Sequence, residues 1–315
     1  MLNDALRTVL LQAAKSSQLR HMIETAPVSR SVVHRFGSGT TAADAVRSTS
    51  ELVADGLLVS IDHLGEDTTE QAQADGVRDA YLSLLQALAD AGLADHDRAE
   101  VSVKLSAIGQ GLGPDGPKRS TEYAHEICAA AAAAGTTVTI DMEDHTTTDA
   151  TLDAVRELRR DFGWVGAVVQ SYLRRTEADC RDLAGESSRV RLCKGAYGEP
   201  ESVAYQESGE VDRSYVRCLK VLMSGQGYPM VASHDPRLID IAGALAVQHG
   251  RAQGTYEYQM LYGIRPDEQR RLAAAGEKVR VYLPYGQEWY GYLMRRMAER
   301  PANTAFFLRA LATKG

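Results

Sequence analysis

Short apolar runs rich in valine and isoleucine alternate with longer amphipathic stretches along most of the 315-residue chain. Runs that stay apolar over their whole length are typical of buried parallel strands, because helices cover one face of the sheet and a packed interior covers the other. They predict eight strands: Leu57–Ile61, Val101–Leu105, Thr137–Ile140, Ala167–Gln170, Val190–Cys193, Met230–Ala232, Gly254–Tyr258 and Val279–Leu283.

Segments of helical length separate these runs. Asp235-Pro236 is typical of a helix start, whereas Gly135 and Gly250 are typical of helix ends. The predicted helices include Thr121–Ala134, Thr148–Asp161, Arg174–Leu183 and Pro236–His249.

The order of these elements predicts the fold class. Eight strand–helix units follow one another without a linker, which is the pattern of an α/β protein with a (β/α)8 TIM barrel. We therefore expect a single domain with its barrel at residues 56–315. Residues 1–55 are expected to form an N-terminal helical segment, since Leu6, Val9, Leu10 and Ala13 are spaced as one helical face.

Charge and composition narrow the function. The 35 lysines and arginines and 42 aspartates and glutamates give a formal net charge of −7, so we expect no nucleic-acid partner. The longest apolar run, Ile127–Ala134, is too short to span a bilayer, and no secretory signal pattern opens the chain. A cytoplasmic protein is expected. The four cysteines form no C-x-x-C pair, which argues against a disulfide framework or a zinc site.

Polar residues follow many of the apolar runs. A TIM barrel builds its active site at the carboxyl ends of its strands, and an unpaired buried charge is costly, so this grouping indicates a functional site. The residues concerned are Asp62, His63, Lys104, Asp141, Glu143, Asp144, His145, Gln170, Arg191, Lys194, Ser233, His234, Asp235, Glu257, Gln259 and Tyr282.

Several chemistries fit these residue types. A metal could be held by Asp141, Glu143, Asp144, His145 and His234. However, Asp141 and Glu143 alternate with Met142 and Asp144, which divides the donors between two faces if the strand continues. Lys104 or Lys194 could form a Schiff base.

A nucleotide site is a further alternative. The string Gly111–Gly116 matches the dinucleotide pattern G-x-G-x-x-G. Pro114 and Pro117 would stiffen the loop, however, and the next helix is expected to begin only near Thr121, so an ordinary strand–helix loop is favoured.

A pair of arginines near the carboxyl terminus indicates an anion site. On a helix, Tyr292, Arg295, Arg296 and Glu299 share one face. Neighbouring guanidinium groups repel each other, so such a pair is most stable where an anion, such as a carboxylate, neutralises it.

Eight segments together resemble the proline dehydrogenases, flavoproteins that oxidise L-proline. The resemblance extends from near residue 57 to residue 307, and the spacing from Tyr282 to Arg295 resembles that of the short monofunctional bacterial enzymes. The segments are Val103-Lys104-Leu105-Ser106, Ile140-Asp141-Met142-Glu143-Asp144, Val168-Val169-Gln170-Ser171-Tyr172-Leu173-Arg174-Arg175, Arg191-Leu192-Cys193-Lys194-Gly195-Ala196-Tyr197, Ala232-Ser233-His234-Asp235, Tyr256-Glu257-Tyr258-Gln259-Met260-Leu261-Tyr262-Gly263, Arg280-Val281-Tyr282-Leu283-Pro284-Tyr285-Gly286 and Tyr292-Leu293-Met294-Arg295-Arg296.

The resemblance implies a distorted (β/α)8 barrel that holds FAD non-covalently without a Rossmann domain, and no metal. It also implies a clamp for the proline carboxylate, made of Lys104, Arg295 and Arg296, with Tyr282 beside the ring. Asp141 and Arg191 occupy the catalytic positions of the family. The expected flavin contacts are Met142, Gln170, Arg191, Lys194, Gly195, Ala196, Tyr197, Ser233 and His234. Cys193, Ser233 and Asp235 depart from the common residues of the family.

The implied reaction is hydride transfer from proline to FAD, which yields Δ1-pyrroline-5-carboxylate in the first step of proline catabolism to glutamate. The implied electron acceptor is a membrane quinone, reached by peripheral contact at the inner face of the cell membrane. Functional coupling to a pyrroline-5-carboxylate dehydrogenase is a further expectation. The resemblance also implies that Glu66 acts as a gate by pairing with Arg295 across the entrance.

Overall fold

The computed structural model describes residues 37–66, 68–95, 98–289 and 292. The expected helical face at Leu6–Ala13 lies outside these residues. Eight strands are described: β1 Leu58–His63, β2 Ala99–Val103, β3 Val138–Ile140, β4 Gly166–Gln170, β5 Arg189–Cys193, β6 Tyr228–Ala232, β7 Glu257–Leu261 and β8 Val279–Tyr285. The helices of the same region are α1 Ala42–Ala54, α2 Gln71–Asp90, α3 Gly116–Ala134, α4 Thr148–Leu158, α5 Thr176–Leu183, α6 Ser208–Ser224, α7 Pro236–Gln248 and α8 Pro266–Ala274.

The strands close into a parallel barrel in sequence order, from β1 to β8. Its closing seam is the pairing of β1 with β8, which sets Ser60 opposite Tyr282. Helix α1 precedes β1, and each of the helices α2 to α8 links two successive strands. The prediction of an α/β fold with a (β/α)8 barrel is confirmed. All eight strands therefore direct their carboxyl ends to the same rim, where a barrel forms its site.

Side chains alternate between the two faces of each strand, and the outward set forms the hydrophobic core. On β1, Val59 and Ile61 are fully buried in this core. On β2, Val101 and Val103 are buried in it as well. The apolar core thus lies between the barrel and its helices.

Much of the inward set is polar, although the runs that predict the strands are apolar. Ser60, Ser102, Arg191 and Gln259 are all buried. The Arg191 guanidinium donates hydrogen bonds across the barrel to the other three side chains. The apolar runs conceal this because half of the residues in each run point outwards and carry the apolar signal. The polar side chains that could take part in a reaction lie inside the barrel, and the apolar core lies outside it.

Two predicted boundaries are wrong in ways that bear on the site. The seventh strand begins at Glu257, since Gly254 has a φ of +85° in the turn before it. Glu257 therefore lies at the amino end of its strand, away from the rim. Helix α3 begins at Gly116 and not near Thr121.

The early start of α3 also bears on the glycine string. A Cβ at Gly116 would lie 2.4 Å from the carbonyl oxygen of Gln110 and 2.8 Å from that of Gly109. These carbonyl oxygens pack against the first turn of the helix, where a pyrophosphate would need N–H donors. Gly111–Gly116 is therefore a strand–helix loop folded onto its own helix.

Helix ends elsewhere follow ordinary capping rules. Thr41 and Asp44 form a reciprocal capping box at the start of α1. The Asp235 side chain accepts a hydrogen bond of 3.1 Å from the Arg237 N–H at the start of α7. No helix in the described part of the chain is long and apolar enough to cross a membrane.

Candidate active site

A cavity of ≈ 530 Å³ opens at the carboxyl ends of the strands. This volume lies within the range of small-molecule sites. Most of the residues expected at the site from the sequence line it. They are Glu66, Lys104, Asp141, Met142, Gln170, Arg191, Lys194, Gly195, Ala196, Tyr197, Ser233, His234 and Tyr282. Arg295 and Arg296 lie outside the described residues, while Tyr292, on the same predicted helical face, is buried in the cavity wall.

Lys104 lies immediately after β2 and is buried at the cavity floor. Its Nζ donates a hydrogen bond of 2.6 Å to Oδ2 of Asp62 and one of 3.2 Å to the Tyr282 hydroxyl. The ammonium also lies 3.7 Å from Oδ2 of Asp141. A cation fixed on three sides at a cavity floor is suited to binding an anion that enters from the fourth.

Asp141 joins this lysine to Arg191. The Tyr282 hydroxyl donates to Oδ2 of Asp141 at 2.7 Å, and Nη1 of Arg191 donates to Oδ1 at 2.6 Å. The Arg191 guanidinium lies 5.3 Å from the centre of the Tyr282 ring. Asp62, Lys104, Tyr282, Asp141 and Arg191 therefore form one connected chain across the cavity floor, and the structure brings together both residues expected at catalytic positions.

The charges in this chain shift one another's protonation. Burial raises the pKa of Asp62 to about 6, which outweighs the opposing effect of the Lys104 ammonium. Burial alone would lower the pKa of Lys104, but the surrounding carboxylates of Asp62, Asp141 and Glu66 raise it above its ordinary value. Lys104 is therefore a stable cation, which argues against a Schiff-base role at neutral pH.

Gln170 and Glu143 lie beside this chain at the ends of neighbouring strands. Nε2 of Gln170 donates a hydrogen bond of 2.6 Å to the main-chain oxygen of Glu143. The Glu143 carboxylate accepts hydrogen bonds from the Ser106 N–H and hydroxyl at 3.1 and 2.5 Å. Burial raises the pKa of Glu143 to about 7 despite these bonds. Glu143 therefore supports the β2 loop and is not part of the cavity lining.

The loop after β5 forms a second wall of the cavity. Lys194 pairs with Asp212 at 2.6 Å and with Asp235 at 3.3 Å. Gly195 has a φ of +114°, and a Cβ there would lie 2.2 Å from the Tyr172 ring. Only glycine allows the main chain to approach the aromatic ring this closely. Lys194 and Gly195 in this wall are thus held by contacts within the protein.

The loop after β6 completes the lining. Nε2 of His234 accepts a hydrogen bond of 2.9 Å from the Leu261 N–H, which fixes the orientation of the imidazole ring. The Ser233 hydroxyl accepts one of 3.1 Å from the Asp235 N–H. In the described residues, no three or more His, Cys, Asp or Glu side chains are grouped as a metal site.

The lining suits a flat aromatic cofactor with a polar edge. Met142, Val168 and Met260 supply apolar surface, whereas Gln170 and Arg191 supply polar groups at the floor. Ligand pockets commonly combine a mostly apolar wall with a few such placed polar groups. Gly195, which has no side chain, allows a ligand to approach the main chain in this wall. The residues present therefore fit a flavin.

Sequence reasoning did not single out Glu100 and Arg280, and it gave Glu257 and Gln259 no specific role. All four side chains point into the barrel and are at most 3% exposed. The signal that could have found them is the period of two along each strand, as in Glu100, Ser102 and Lys104 of β2 and the residue after it. These residues connect to Arg191 from below.

The fold and this cavity define a TIM-barrel enzyme with its site at the carboxyl ends of the strands. The model of the proline dehydrogenase family matches residues 45–309, and the chain belongs to this family of oxidoreductases.

Relatives of known name agree with this membership. The chain is 37% identical over 313 residues to a proline dehydrogenase of Deinococcus radiodurans, with 99% of both chains covered. It is 36% identical over 280 residues to proline dehydrogenase 1 of Bacillus subtilis, with 89% of this chain and 90% of that one covered.

Solved structures share the fold. A proline utilization A structure from Bdellovibrio bacteriovorus, inactivated by N-propargylglycine, superimposes with a TM-score of 0.80 at 22% identity. The match covers 95% of this chain and 36% of the larger one. A second, from Bradyrhizobium japonicum, gives a TM-score of 0.71 at 23% identity and covers 88% of this chain and 32% of that one.

Proposed function

We propose that the cavity binds L-proline beside FAD and oxidises it to Δ1-pyrroline-5-carboxylate, the first step of proline catabolism. The observation that carries the proposal is the connected chain of Asp62, Lys104, Tyr282, Asp141 and Arg191 on the cavity floor. Membership of the proline dehydrogenase family supports the substrate and the reaction.

Lys104 is the proposed partner of the substrate carboxylate. Its ammonium is buried and held by Asp62 and Tyr282, so it reaches the carboxylate without losing further conformational freedom. The Tyr282 ring would pack beside the proline ring. Arg295 and Arg296 are proposed, from the sequence resemblance, to complete the carboxylate clamp. Fixed contacts of this kind hold the reacting carbon in one orientation at every encounter.

When bound, FAD would supply the hydride acceptor of the reaction. The residues proposed to hold it are Met142, Gln170, Arg191, Lys194, Gly195, Ala196, Tyr197, Ser233 and His234. Arg191 contributes a buried positive charge with a fixed direction, which stabilises negative charge that develops beside it. Asp141 holds this guanidinium from one side and orients the Tyr282 hydroxyl from the other. We assign Asp141 and Arg191 the catalytic positions on this basis.

Three partners extend the proposal. A quinone would reoxidise the cofactor, with peripheral contact at the inner face of the cell membrane giving access to it. The product would pass to a pyrroline-5-carboxylate dehydrogenase. A matching segment occurs within the bifunctional protein PutA of Escherichia coli, with 29% identity over 317 residues. The match covers 24% of the PutA chain. That arrangement supports functional coupling to a second activity.

The test is a visible absorption spectrum of the purified protein before and after anaerobic addition of L-proline. We expect a flavin spectrum that proline bleaches, and yellow colour that acid precipitation releases entirely into the supernatant. A colourless protein that needs added NAD, or one inhibited by a chelator, would overturn the proposal. Colour retained in the acid pellet would contradict the non-covalent attachment.

Lys104→Met tests the carboxylate contact. Loss of a charge-assisted hydrogen bond in a desolvated site removes about 3 kcal/mol, so kcat/KM for proline should fall at least roughly a hundredfold. FAD content should stay at the level of the parent. Lys118→Met is the matched control, because Lys118 is exposed on α3 and pairs with Glu122 at 3.7 Å. Normal proline kinetics in Lys104→Met would assign the carboxylate to other residues.

A further inference from the structure

A second glutamine, Gln259, lines the cavity without a specific role assigned so far, and it contacts Arg191 from within the barrel. Oε1 of Gln259 accepts a hydrogen bond of 2.5 Å from Nε of Arg191. Nε2 of the same amide donates one of 2.5 Å to Oε1 of Glu257. All three side chains are buried. We propose that Gln259 is a positioning residue that fixes the Arg191 guanidinium in the direction of the flavin.

The chemistry of the three groups determines which way the amide points. A guanidinium can only donate hydrogen bonds and an ionised carboxylate can only accept them. Gln259 lies between the two, so its oxygen must face Arg191 and its nitrogen must face Glu257. An amide that bridges a donor and an acceptor in this way has one satisfactory orientation. The bridge therefore carries a fixed direction from Glu257 to Arg191.

Glu257 is itself held in place. Nε and Nη2 of Arg280 donate to its two carboxylate oxygens at 2.8 and 3.1 Å, and the Tyr228 hydroxyl donates to Oε2 at 3.1 Å. Burial acts to raise the pKa of Glu257, but the adjacent Arg280 guanidinium lowers it below the ordinary value. Glu257 thus stays ionised, as the acceptor role requires.

The other hydrogen bonds of Arg191 are made by its terminal nitrogens, so Gln259 is the residue that binds Nε. Nη1 donates to Asp141 and to the Ser102 hydroxyl at 2.9 Å, and Nη2 donates to the Ser60 hydroxyl at 3.0 Å. These bonds hold the two terminal nitrogens, whereas Gln259 alone among the described residues accepts from Nε. Without that bond the guanidinium could tilt about the line through its two terminal nitrogens while keeping its charge.

The strand register makes the bridge possible. Gln259 on β7 pairs with Ala232 on β6, and β6 separates β7 from β5, which carries Arg191. Met230 on the same strand pairs with Arg191, and Gln259 and Arg191 meet across this strand. The sequence pattern Glu257-x-Gln259 places both polar residues on the inward face of β7.

The proposal rests on the proposed function, since it concerns the flavin that Arg191 would contact. The test compares Gln259→Met with the parent in three measurements: FAD content, the midpoint potential of the bound flavin, and the split between kcat and KM. A displaced positive charge stabilises the reduced, negatively charged cofactor less. We expect normal FAD content, a potential about 30 mV lower, which is tenfold in the two-electron equilibrium, and a roughly tenfold lower kcat with KM within about twofold.

Gln269→Met is the matched control. Gln269 is a buried glutamine on α8 whose Nε2 donates to the main-chain oxygens of Leu261 and Ile264 at 3.1 and 2.9 Å. The same substitution there removes two hydrogen bonds without touching Arg191. Its potential and kcat should match those of the parent even if its thermal stability falls. A role of Gln259 in stability alone would give both variants the same result.

The outcomes distinguish failure of the positioning role of Gln259 from failure of the proposed function. If Gln259→Met binds FAD with the parent's potential and kcat, the positioning role is wrong while the proposed function stands. If parent and variants all bind no FAD, the proposed function fails, and the positioning role fails with it. If Gln259→Met does not fold, Glu257→Asp replaces it, because it keeps the charge opposite Arg280 and withdraws the acceptor from Gln259. A lower potential in Glu257→Asp supports the role, and an unchanged one contradicts it.

Discussion

The barrel contains two clusters of buried charge that differ in what surrounds them. The base cluster comprises Glu100, Arg189, Glu257 and Arg280, at the amino ends of the strands. Its ion pairs are short, with Arg189 2.6 Å from Glu100 and Arg280 2.8 Å from Glu257. The mouth cluster comprises Asp62, Lys104, Asp141 and Tyr282, and it borders the cavity. The two clusters are built from the same kinds of side chain, yet one is closed and the other is open to a ligand.

Their carboxylates respond to burial in opposite ways. In the base cluster, the arginines around Glu100 and Glu257 overcome the effect of burial and lower both pKa values. In the mouth cluster, burial prevails over Lys104 and raises the pKa of Asp62 to about 6. The base cluster has its full complement of counter-charge within the protein. The mouth cluster has two carboxylates for one ammonium, so burial is not fully offset at Asp62.

The largest expected effect separates the clusters by stability. Arg280→Met would leave Glu257 as a buried carboxylate without its bidentate partner, and such a loss commonly destabilises a fold by about 3–5 kcal/mol. Urea unfolding followed by circular dichroism measures it. Arg270→Met is the control, because Arg270 and Asp55 form an exposed pair at 3.3 Å that should contribute no more than about 1 kcal/mol. Equal losses of unfolding free energy in the two variants would mean that the buried Arg280 pair stabilises the fold no more than the exposed Arg270 pair.

A smaller effect concerns the pH dependence of the mouth cluster. The pKa of Asp62 rises from 3.8 to about 6 on folding, so its favourable contribution is complete below pH 3.8 and is lost as the pH rises through about 6. Between pH 7.5 and pH 5 the parent should therefore gain roughly 1 kcal/mol in unfolding free energy relative to Asp62→Asn.

Paired unfolding curves of parent and variant at the two pH values measure this gain. Asp55→Asn, the same substitution at an exposed position, controls for the general effect of acid on the fold. If the difference in unfolding free energy between the parent and Asp62→Asn stays constant with pH, folding does not raise the pKa of Asp62. A difference of the opposite sign would place it among the well-paired carboxylates of the base cluster.

The comparison also explains how far the sequence predicts the molecule. Outward residues, such as Val59 and Ile61 on β1, give the strands their apolar signal. The capping residue Asp235 predicts the observed start of α7 at Pro236. The barrel could therefore be predicted, and so could the residues at the rim, such as Lys104 and Asp141, which follow directly after their strands.

The base cluster could not be predicted in the same way. Glu100 and Arg280 lie within or beside apolar runs, where a local pattern does not distinguish a paired inward charge from a strand boundary. Their pairing depends on strands that are distant in sequence, since 157 residues separate Glu100 from Glu257 and Arg280 contacts both. Gln259 was recognised as polar, but its contact with Arg191 across β6 follows only from the closed register.

Glu66 lies at the rim of the cavity. Its substitution should cause the smallest change in stability but a clear change in the rate of flavin reduction. Glu66 lines the cavity and is partly exposed, and its charge contributes to the raised pKa of Lys104. We propose that it pairs with Arg295 across the entrance when substrate is bound. Glu66→Ala should change unfolding free energy by only about 0–1 kcal/mol, as is usual for exposed pairs. Closure excludes water and keeps substrate seated, so the rate of flavin reduction at saturating proline should fall several-fold with FAD content unchanged.

Stopped-flow absorbance follows this rate, and Glu70→Ala is the control, because Glu70 is an exposed glutamate just before α2 that does not line the cavity. Raised salt should slow the parent towards the rate of Glu66→Ala and leave the variant almost unchanged, since salt screens an ion pair at an exposed rim. A variant as fast as the parent at saturating proline would mean that Glu66 does not gate the site. The open mouth cluster would then depend on Lys104 and the proposed arginines alone to retain its ligand.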